Sequence, residues 1–343
     1  MADIKFRNSR KIGDFLTPYF IAEVNTSHFG NIETAKEMIL KAKECSCDCV
    51  KFQSWSADSL YSENFYLENP IARRMFSKFS FSAEDLKLLS DFCDQQEIDF
   101  ASTPYSIDEV NFLVEDTKAP FIKVASMDLT NLPFLKYIAN TDMPIVLSTG
   151  MATYQEVEAA ANAITQEGND QLTILHCVAT YPVDAKDVRL MNMLALRDSF
   201  PNCPIGYSDH TIGLEVPCAA VAHGACIIEK HFTLDRSRIG MDNQMATESE
   251  DFEKMISLCH SVYSSLGGQE RILSDAEIGQ KEKMTRSLVA LRDLPIGHTL
   301  TPEDFCAKRP GTGIPVNQAD LLIGKKVISE IKANHLIVSE NLS

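Results

Sequence analysis

Between residues 19 and 267, a short run of β-branched and apolar residues is followed eight times by a longer stretch with apolar side chains at helical spacing. The strand-like runs are 19–24 (YFIAEV), 49–53 (CVKFQ), 99–103, 121–126, 144–149, 172–178, 204–208 and 226–231, and the helical stretches are 31–45, 83–97, 107–116, 131–140, 154–167, 190–200, 214–223 and 249–266. Strands this continuously apolar are buried on both faces, which calls for a parallel sheet covered by helices. Eight such units predict a (β/α)8 TIM barrel, class α/β, over residues 1–267. In that fold every strand ends on the same face, so chemistry falls to the polar residues at those ends.

The remaining segments hang on this frame. The insertion 55–81, rich in Ser, Phe and Tyr, is expected over the mouth of the barrel. Residues 268–285 (GQERILSDAEIGQKEK and the residues after it) read as a polar linker, and 286–343 as a small, mostly β module whose runs SLVAL, KKVISEI and HLIVS are broken by PIG, RPGTG and KAN. A net charge of −16 argues against nucleic-acid or acidic-membrane partners, since phosphate surfaces are bound by clustered Lys and Arg. The polar start lacks an apolar signal core and nowhere do about 18 apolar residues run together, so a cytoplasmic location is expected. The ten cysteines are then read as reduced, and Cys45, Cys47 and Cys49 as small buried residues rather than metal ligands.

The densest chemistry lies in 204–242, which reads PIGYSDH, an apolar helical segment, then CIIEKHFTLDRSRIGMD. His210 and His231 each follow a strand run, and consecutive strand ends of a parallel barrel can converge on one ion. Either histidine alone reads equally well as a satisfied residue near a strand end, but the pair is a stronger signal. Asp209 and Glu229 are candidates to orient the imidazoles or to touch substrate. No third His or Cys follows at structural-zinc spacing, so an open site completed by water and substrate oxygens is expected.

Further polar residues fall at the same level: Glu23, Lys51, Gln53, Thr103, Lys123, Ser126, Asp128, Ser148, Tyr181 and Ser208. Lys51 and Lys123 sit inside apolar runs, where a lysine without an anionic partner is costly. With Thr103, Ser126, Ser148 and Ser208 they could cradle a phosphate and a carboxylate on one small ligand. Phosphoenolpyruvate is such a ligand, although composition does not choose it over a sugar phosphate. Glu23, Asp128 and Asp242 are left as acid, base or hydroxyl contacts.

IAEVNTSHFG, VKFQSW, ASTPYS, IKVASMDLTNLP, IVLSTGMA, LHCVATYP, GYSDHTIG and IEKHFTLD, in this order, resemble the sialic acid (N-acetylneuraminate) synthase family, and RSLVALRDLPIGHTLTPEDFCAKRPGTG resembles its C-terminal SAF, or antifreeze-like, domain. The resemblance implies a homodimeric, phosphoenolpyruvate-dependent transferase with a divalent metal, manganese, magnesium or cobalt, held by His210 and His231. It implies phosphoenolpyruvate on Lys51, Thr103, Lys123, Ser126, Ser148 and Ser208. Gln53, Asp128, Tyr181 and Asp242 would face an amino sugar such as N-acetylmannosamine, with Glu23 beside it as the proposed acid/base. Arg309, from the small domain of a partner subunit swapped over the barrel, would reach the sugar's acyl group. This chain departs from the family pattern at Ser27, Asp128, Ala179 and the run NQMATES after Asp242, all on the implied sugar side. A legionaminate- or pseudaminate-type synthase using a diacetamido-trideoxyhexose therefore stays open, as does a non-catalytic sugar-binding paralogue.

Overall fold

In the computed structural model, which describes residues 2–343, all eight strand runs form. After an N-terminal hairpin, β1 (Asp3–Lys5) and β2 (Lys11–Gly13), come β3 (Tyr19–Glu23), β4 (Cys49–Gln53), β5 (Asp99–Thr103), β6 (Ile122–Val124), β7 (Ile145–Ser148), β8 (Leu172–Cys177), β9 (Ile205–Asp209) and β10 (Ile227–Thr233). The parallel ladder runs β5-β4-β3-β10-β9-β8-β7-β6, with β5 and β6 meeting side by side, so the barrel is nearly closed. β6 is shorter than the apolar pattern 121–126 predicts, because Ser126–Asp128 turns into a 3-10 helix.

Strand alternation divides the interior into two levels. Nearest the N-terminal ends, Tyr19, Ile21, Ala101, Phe121, Val146, Leu175 and Ile227 form an apolar layer. The hairpin closes it from below, pairing Ile4 with Ile12 and inserting Phe6 with its ring 4.6 Å from that of Phe121 and 5.3 Å from that of Tyr19. The polar start of the chain is therefore a plug, and the Ile4, Phe6 and Ile12 spacing was the signal for it. The next level up holds the charged residues, open to one side only.

Helices follow their local signals. Ser82 and Asp85, and Thr153 and Glu156, close capping boxes at the starts of Ala83–Gln95 and Tyr154–Thr165, satisfying amide groups that a helix start leaves free. The insertion carries three short helices, Ala57–Leu60, Glu63–Glu68 and Pro70–Phe79, around an aromatic cluster of Trp55, Tyr66, Phe76 and Phe79. Its far end is locked to the loop after β3. His28 stacks on Phe81 with ring centroids 4.1 Å apart, and a Cβ on Gly30, whose φ is +70°, would lie 2.0 Å from the Lys78 carbonyl oxygen.

The chain divides into two compact units, Met1–Gly267 and Gly268–Ser343. The segment read as a linker contains a helix, Asp275–Met284, begun by a capping box between Ser274 and Glu277; the S-D-A-E pattern was its signal. Beyond it, an antiparallel pair (Ser287–Ala290 with Phe305–Lys308) packs over Leu288, Leu294, Leu300, Val327, Ile331 and Ile337. The buried Asp304 carboxylate takes hydrogen bonds from Arg292, His298 and Thr301, which hold it below its ordinary range against the opposing effect of burial. All ten cysteines are free, and no helix among the described residues is long and apolar enough to cross a membrane.

His28 makes this lock sensitive to acid. Burial lowers its imidazole to about 4, with Gly30 N–H donating to Nδ1 at 3.0 Å, whereas an unfolded histidine titrates near ~6.5. Because the folded value is the depressed one, the contribution is whole above about pH 6.5 and falls as pH drops toward about 4, a loss of about 3 kcal/mol. Urea titrations followed by Trp55, the one tryptophan, should show that His28→Phe, which keeps the stack, loses about 3 kcal/mol less than wild type between about pH 7 and 4. Equal losses would rule out a buried, neutral His28.

Candidate active site

Strand pairing brings the polar residues of the second level into one ring, since Glu23 is in register with Lys51, Gln53 with Thr103, and His231 with Glu23. They line a cavity of about 360 Å³ at the C-terminal ends of the strands. Glu23, Lys51, Gln53, Thr103, Lys123, Ser126, Ser148, Tyr181, Ser208, His210, His231 and Asp242 all face it. Asp128 does not. It lies beside the cavity on the 3-10 turn, with one carboxylate oxygen buried and unpartnered and the other near Asn131 Nδ2 at 3.5 Å. Arg309 belongs to the second unit, where its Nε donates to the Met284 carbonyl at 3.0 Å.

The floor of the cavity is an arrangement of two ammonium and two carboxylate groups, none more than 7% exposed. Lys51 is ion-paired to Glu23 and donates to Thr103 Oγ1 at 3.0 Å; Lys123 donates to Ser148 Oγ at 2.7 Å. Between them stands Glu229, 3.7 Å from the Lys51 ammonium and 3.8 Å from that of Lys123, accepting from Ser208 Oγ at 2.8 Å. Burial would raise the Glu229 carboxyl, but the two lysines prevail and bring it to about 2. Burial lowers the Lys123 ammonium, while for Lys51 the effect of burial is outweighed by Glu229 and Glu23, which raise it. The Glu23 carboxyl is raised, burial outweighing the attraction of Lys51. The second Glu229 oxygen, Oε2, has no hydrogen-bond donor.

Above the floor the two imidazoles lie side by side, ring centroids 5.4 Å apart, with the Tyr181 ring 4.2 Å from that of His210. His210 donates Nδ1–H to the Val178 carbonyl at 2.8 Å, so in the neutral ring Nε2 is the nitrogen that offers its lone pair to a ligand; burial would lower this imidazole, but Cys177 and the Val178 carbonyl raise it. Burial holds His231 neutral, the form that binds metal. Among the described residues no group of three or more His, Cys, Asp or Glu side chains is placed to hold a metal ion. The two adjacent imidazoles are the nitrogen donors the cavity offers, and a cation held there would be completed by substrate or water oxygens.

Two expectations need correction. Glu229 does not orient a histidine: its inward strand position sets it between the lysines as their counter-ion. Asp209 points outward between strands and helices, where it pairs with Lys230, because Ser208 and His210 take the inward positions on either side of it. Other cavity residues carried little signal in the sequence. Asn25 holds Asp242 by a hydrogen bond. Tyr105 reaches Gln53 at 3.3 Å. Trp55, Leu60, Tyr61 and Phe76 bring the insertion into the wall, as its expected position over the mouth implies.

A model of the NeuB family matches residues 38–271, and one of the SAF domain matches residues 285–343. The N,N'-diacetyllegionaminic acid synthase of Legionella pneumophila is 34% identical over an alignment of 351 positions, gaps included, covering 98% of each protein. The N-acetylneuraminate-9-phosphate synthase of Drosophila melanogaster is 31% identical, covering 94% of this chain and 95% of that protein. The crystal structure of the N-acetylneuraminic acid (sialic acid) synthetase of Leptospira borgpetersenii in complex with citrate superposes with a TM-score of 0.75 at 29% identity, covering 81% of this chain and 94% of that one. Its relatives are thus synthases of sialic-type nonulosonic acids, and the chain belongs to the NeuB family.

Proposed function

We propose that this protein condenses phosphoenolpyruvate with the open-chain aldehyde of an N-acylated amino sugar, releasing a nonulosonic acid and inorganic phosphate. The observation that carries the reading is the pair of buried ammonium groups, Lys51 and Lys123, sharing Glu229 beneath two adjacent imidazoles. Buried lysines want an anion, and a ligand with both a phosphate and a carboxylate answers two at once. A related synthetase takes the small polyanion citrate. Thr103, Ser126, Ser148 and Ser208 supply neutral donors around it, and Gly150 leaves room there, since a Cβ on it would come 2.8 Å from Ser126 Oγ.

Carbon 3 of phosphoenolpyruvate bonds to the aldehyde carbon, water adds its oxygen to carbon 2, and phosphate departs with the bridging oxygen. A divalent metal on His210 and His231, manganese, magnesium or cobalt, would supply Lewis-acid polarisation of the aldehyde. Glu23, its proton affinity raised by burial and its carboxylate held by the Asn25 N–H at 2.8 Å, would exchange a proton with the reacting oxygens. Gln53, Tyr181 and Asp242 line the side left for the sugar, and Asp128 would join them only after its turn moves. The substrate phosphoenolpyruvate points to the cytoplasm.

The sugar itself is read from Ala179, which lines the cavity without a polar group. A wall without a hydrogen-bond partner leaves a sugar hydroxyl buried against it unpaired, which disfavours that sugar by up to about 100-fold. In a phosphate-release assay with phosphoenolpyruvate and Mn²⁺, a 2,4-diacetamido or 6-deoxy relative should outperform N-acetylmannosamine. N-acetylmannosamine as the best substrate would reject this choice of sugar, and no release with any sugar would favour a non-catalytic binding protein.

Lys51→Ala and Lys123→Ala should each raise the KM for phosphoenolpyruvate, on the order of 2–5 kcal/mol in kcat/KM, because removing one partner leaves other charges desolvated. Saturation curves superposing on wild type in both variants would contradict the anion assignment.

For assembly, we read a homodimer in which the second unit of each subunit covers the partner's barrel and delivers Arg309. The support is a rim of exposed apolar side chains on the loops after β6 to β10: Met127, Met151, Tyr181, Ile212 and Ile239, the last 85% exposed. His210→Ala and Arg309→Ala proteins, each inactive alone, should on subunit exchange recover about a quarter of wild-type activity, since roughly half the dimers are mixed and each has one intact site. No recovery, with exchange confirmed, would place Arg309 over its own barrel or none.

A further inference from the structure

Behind the two histidines lies a pair of opposite charges that reaches neither solvent nor the cavity. Lys230 on β10 and Asp209 on β9 are cross-strand partners with side chains 2% and 0% exposed. They point outward under the helices, where their strand neighbours Ile205, Tyr207, Ile228 and Phe232 belong to the apolar core. Lys230 donates to the Asp209 carboxylate and to the Thr211 carbonyl at 2.6 Å. The same carboxylate accepts from the Tyr207 hydroxyl at 2.8 Å, the Thr211 N–H at 3.0 Å and the Thr211 hydroxyl at 3.1 Å.

Stability does not account for such a pair. The desolvation of two charges offsets their attraction, and apolar residues of equal volume hold such a layer as well or better. What the network touches is more informative. Asp209 precedes His210, Thr211 follows it with its N–H, hydroxyl and carbonyl all engaged, and Lys230 precedes His231. One set of hydrogen bonds thus ties the backbone on both sides of one histidine to the residue before the other.

We propose that the Lys230–Asp209 pair sets the separation of His210 and His231 as a two-nitrogen seat for a divalent cation. This inference rests on the metal reading given above. Among the described residues no group of three candidate ligands fixes the separation of the rings; the Val178 carbonyl orients the His210 ring, and the spacing of the two backbones that carry the rings is left to the strands and what ties them. Lys230, Asp209 and Thr211 are positioning residues: they act through the chain and touch neither ring.

The test is a double variant, Asp209→Asn with Lys230→Met, which removes both charges while keeping the volume and the acceptor for Tyr207 and Thr211. Metal-free protein is titrated with Mn²⁺ by calorimetry, well below its melting temperature and with the fold checked by circular dichroism. Mn²⁺ affinity should fall roughly 10- to 100-fold, the size expected when the support of a metal ligand is lost. A merely structural pair would shift the melting temperature and leave affinity within about twofold of wild type, which overturns the inference. His210→Ala, titrated alongside, separates the two readings. Loss of Mn²⁺ binding there with none in the double variant sinks the positioning role alone; unchanged binding in His210→Ala sinks the metal reading and this inference with it. Should the double variant not fold, Tyr207→Phe combined with Thr211→Val deletes two hydrogen bonds to Asp209 without stranding a charge. It should weaken Mn²⁺ on the order of 10-fold, and affinity within about twofold of wild type would again overturn the proposal.

Discussion

A side chain that points into a closed parallel barrel has only other inward side chains for company, and the architecture of this protein follows from that constraint. At the lower level the answer is apolar filling, completed by Phe6 and the N-terminal hairpin. At the upper level it is charge compensation, in which Lys51, Lys123, Glu23 and Glu229 neutralise one another a few ångströms apart. The plug below and the charged ring above leave a cavity with one entrance. Any ligand that enters it meets ammonium groups already stripped of water.

That compensation has a functional side. Glu229 accepts a hydrogen bond from Ser208 with one oxygen and leaves the other without a donor, while the lysines keep it ionised at all ordinary pH. An anionic ligand would exchange one counter-ion for another rather than pull bare lysines from water, which reduces the cost of holding the site ready. His231 lies two residues beyond Glu229 on β10, and His210 two residues beyond Ser208, just past the end of β9. Anion cradle and candidate cation seat are therefore set by a single register.

Local signals in the sequence carried much of this. The eightfold alternation identified the barrel, and position at the strand ends put Glu23, Lys51, Thr103, Lys123, Ser148, Ser208 and the two histidines at one level, where all of them line the cavity. The helix at Asp275–Met284 and the hairpin plug are equally local, written in S-D-A-E and in the spacing of Ile4, Phe6 and Ile12, but polar surroundings mask both patterns. Asp209 was assigned to its neighbouring histidine although the same parity that turns His210 inward turns Asp209 out.

What the sequence determined by itself is therefore whatever depends on period and local chemistry: fold class, strand ends, caps and most of the polar residues at the level of the cavity. Only the tertiary structure decided who pairs with whom. Glu229 could serve as counter-ion to Lys51 and Lys123, and Lys230 could lock Asp209, only once neighbouring strands had taken their register. Register is fixed by closure of the whole barrel and the filling of its core, which sum over all eight strands. No single stretch of chain contains that sum.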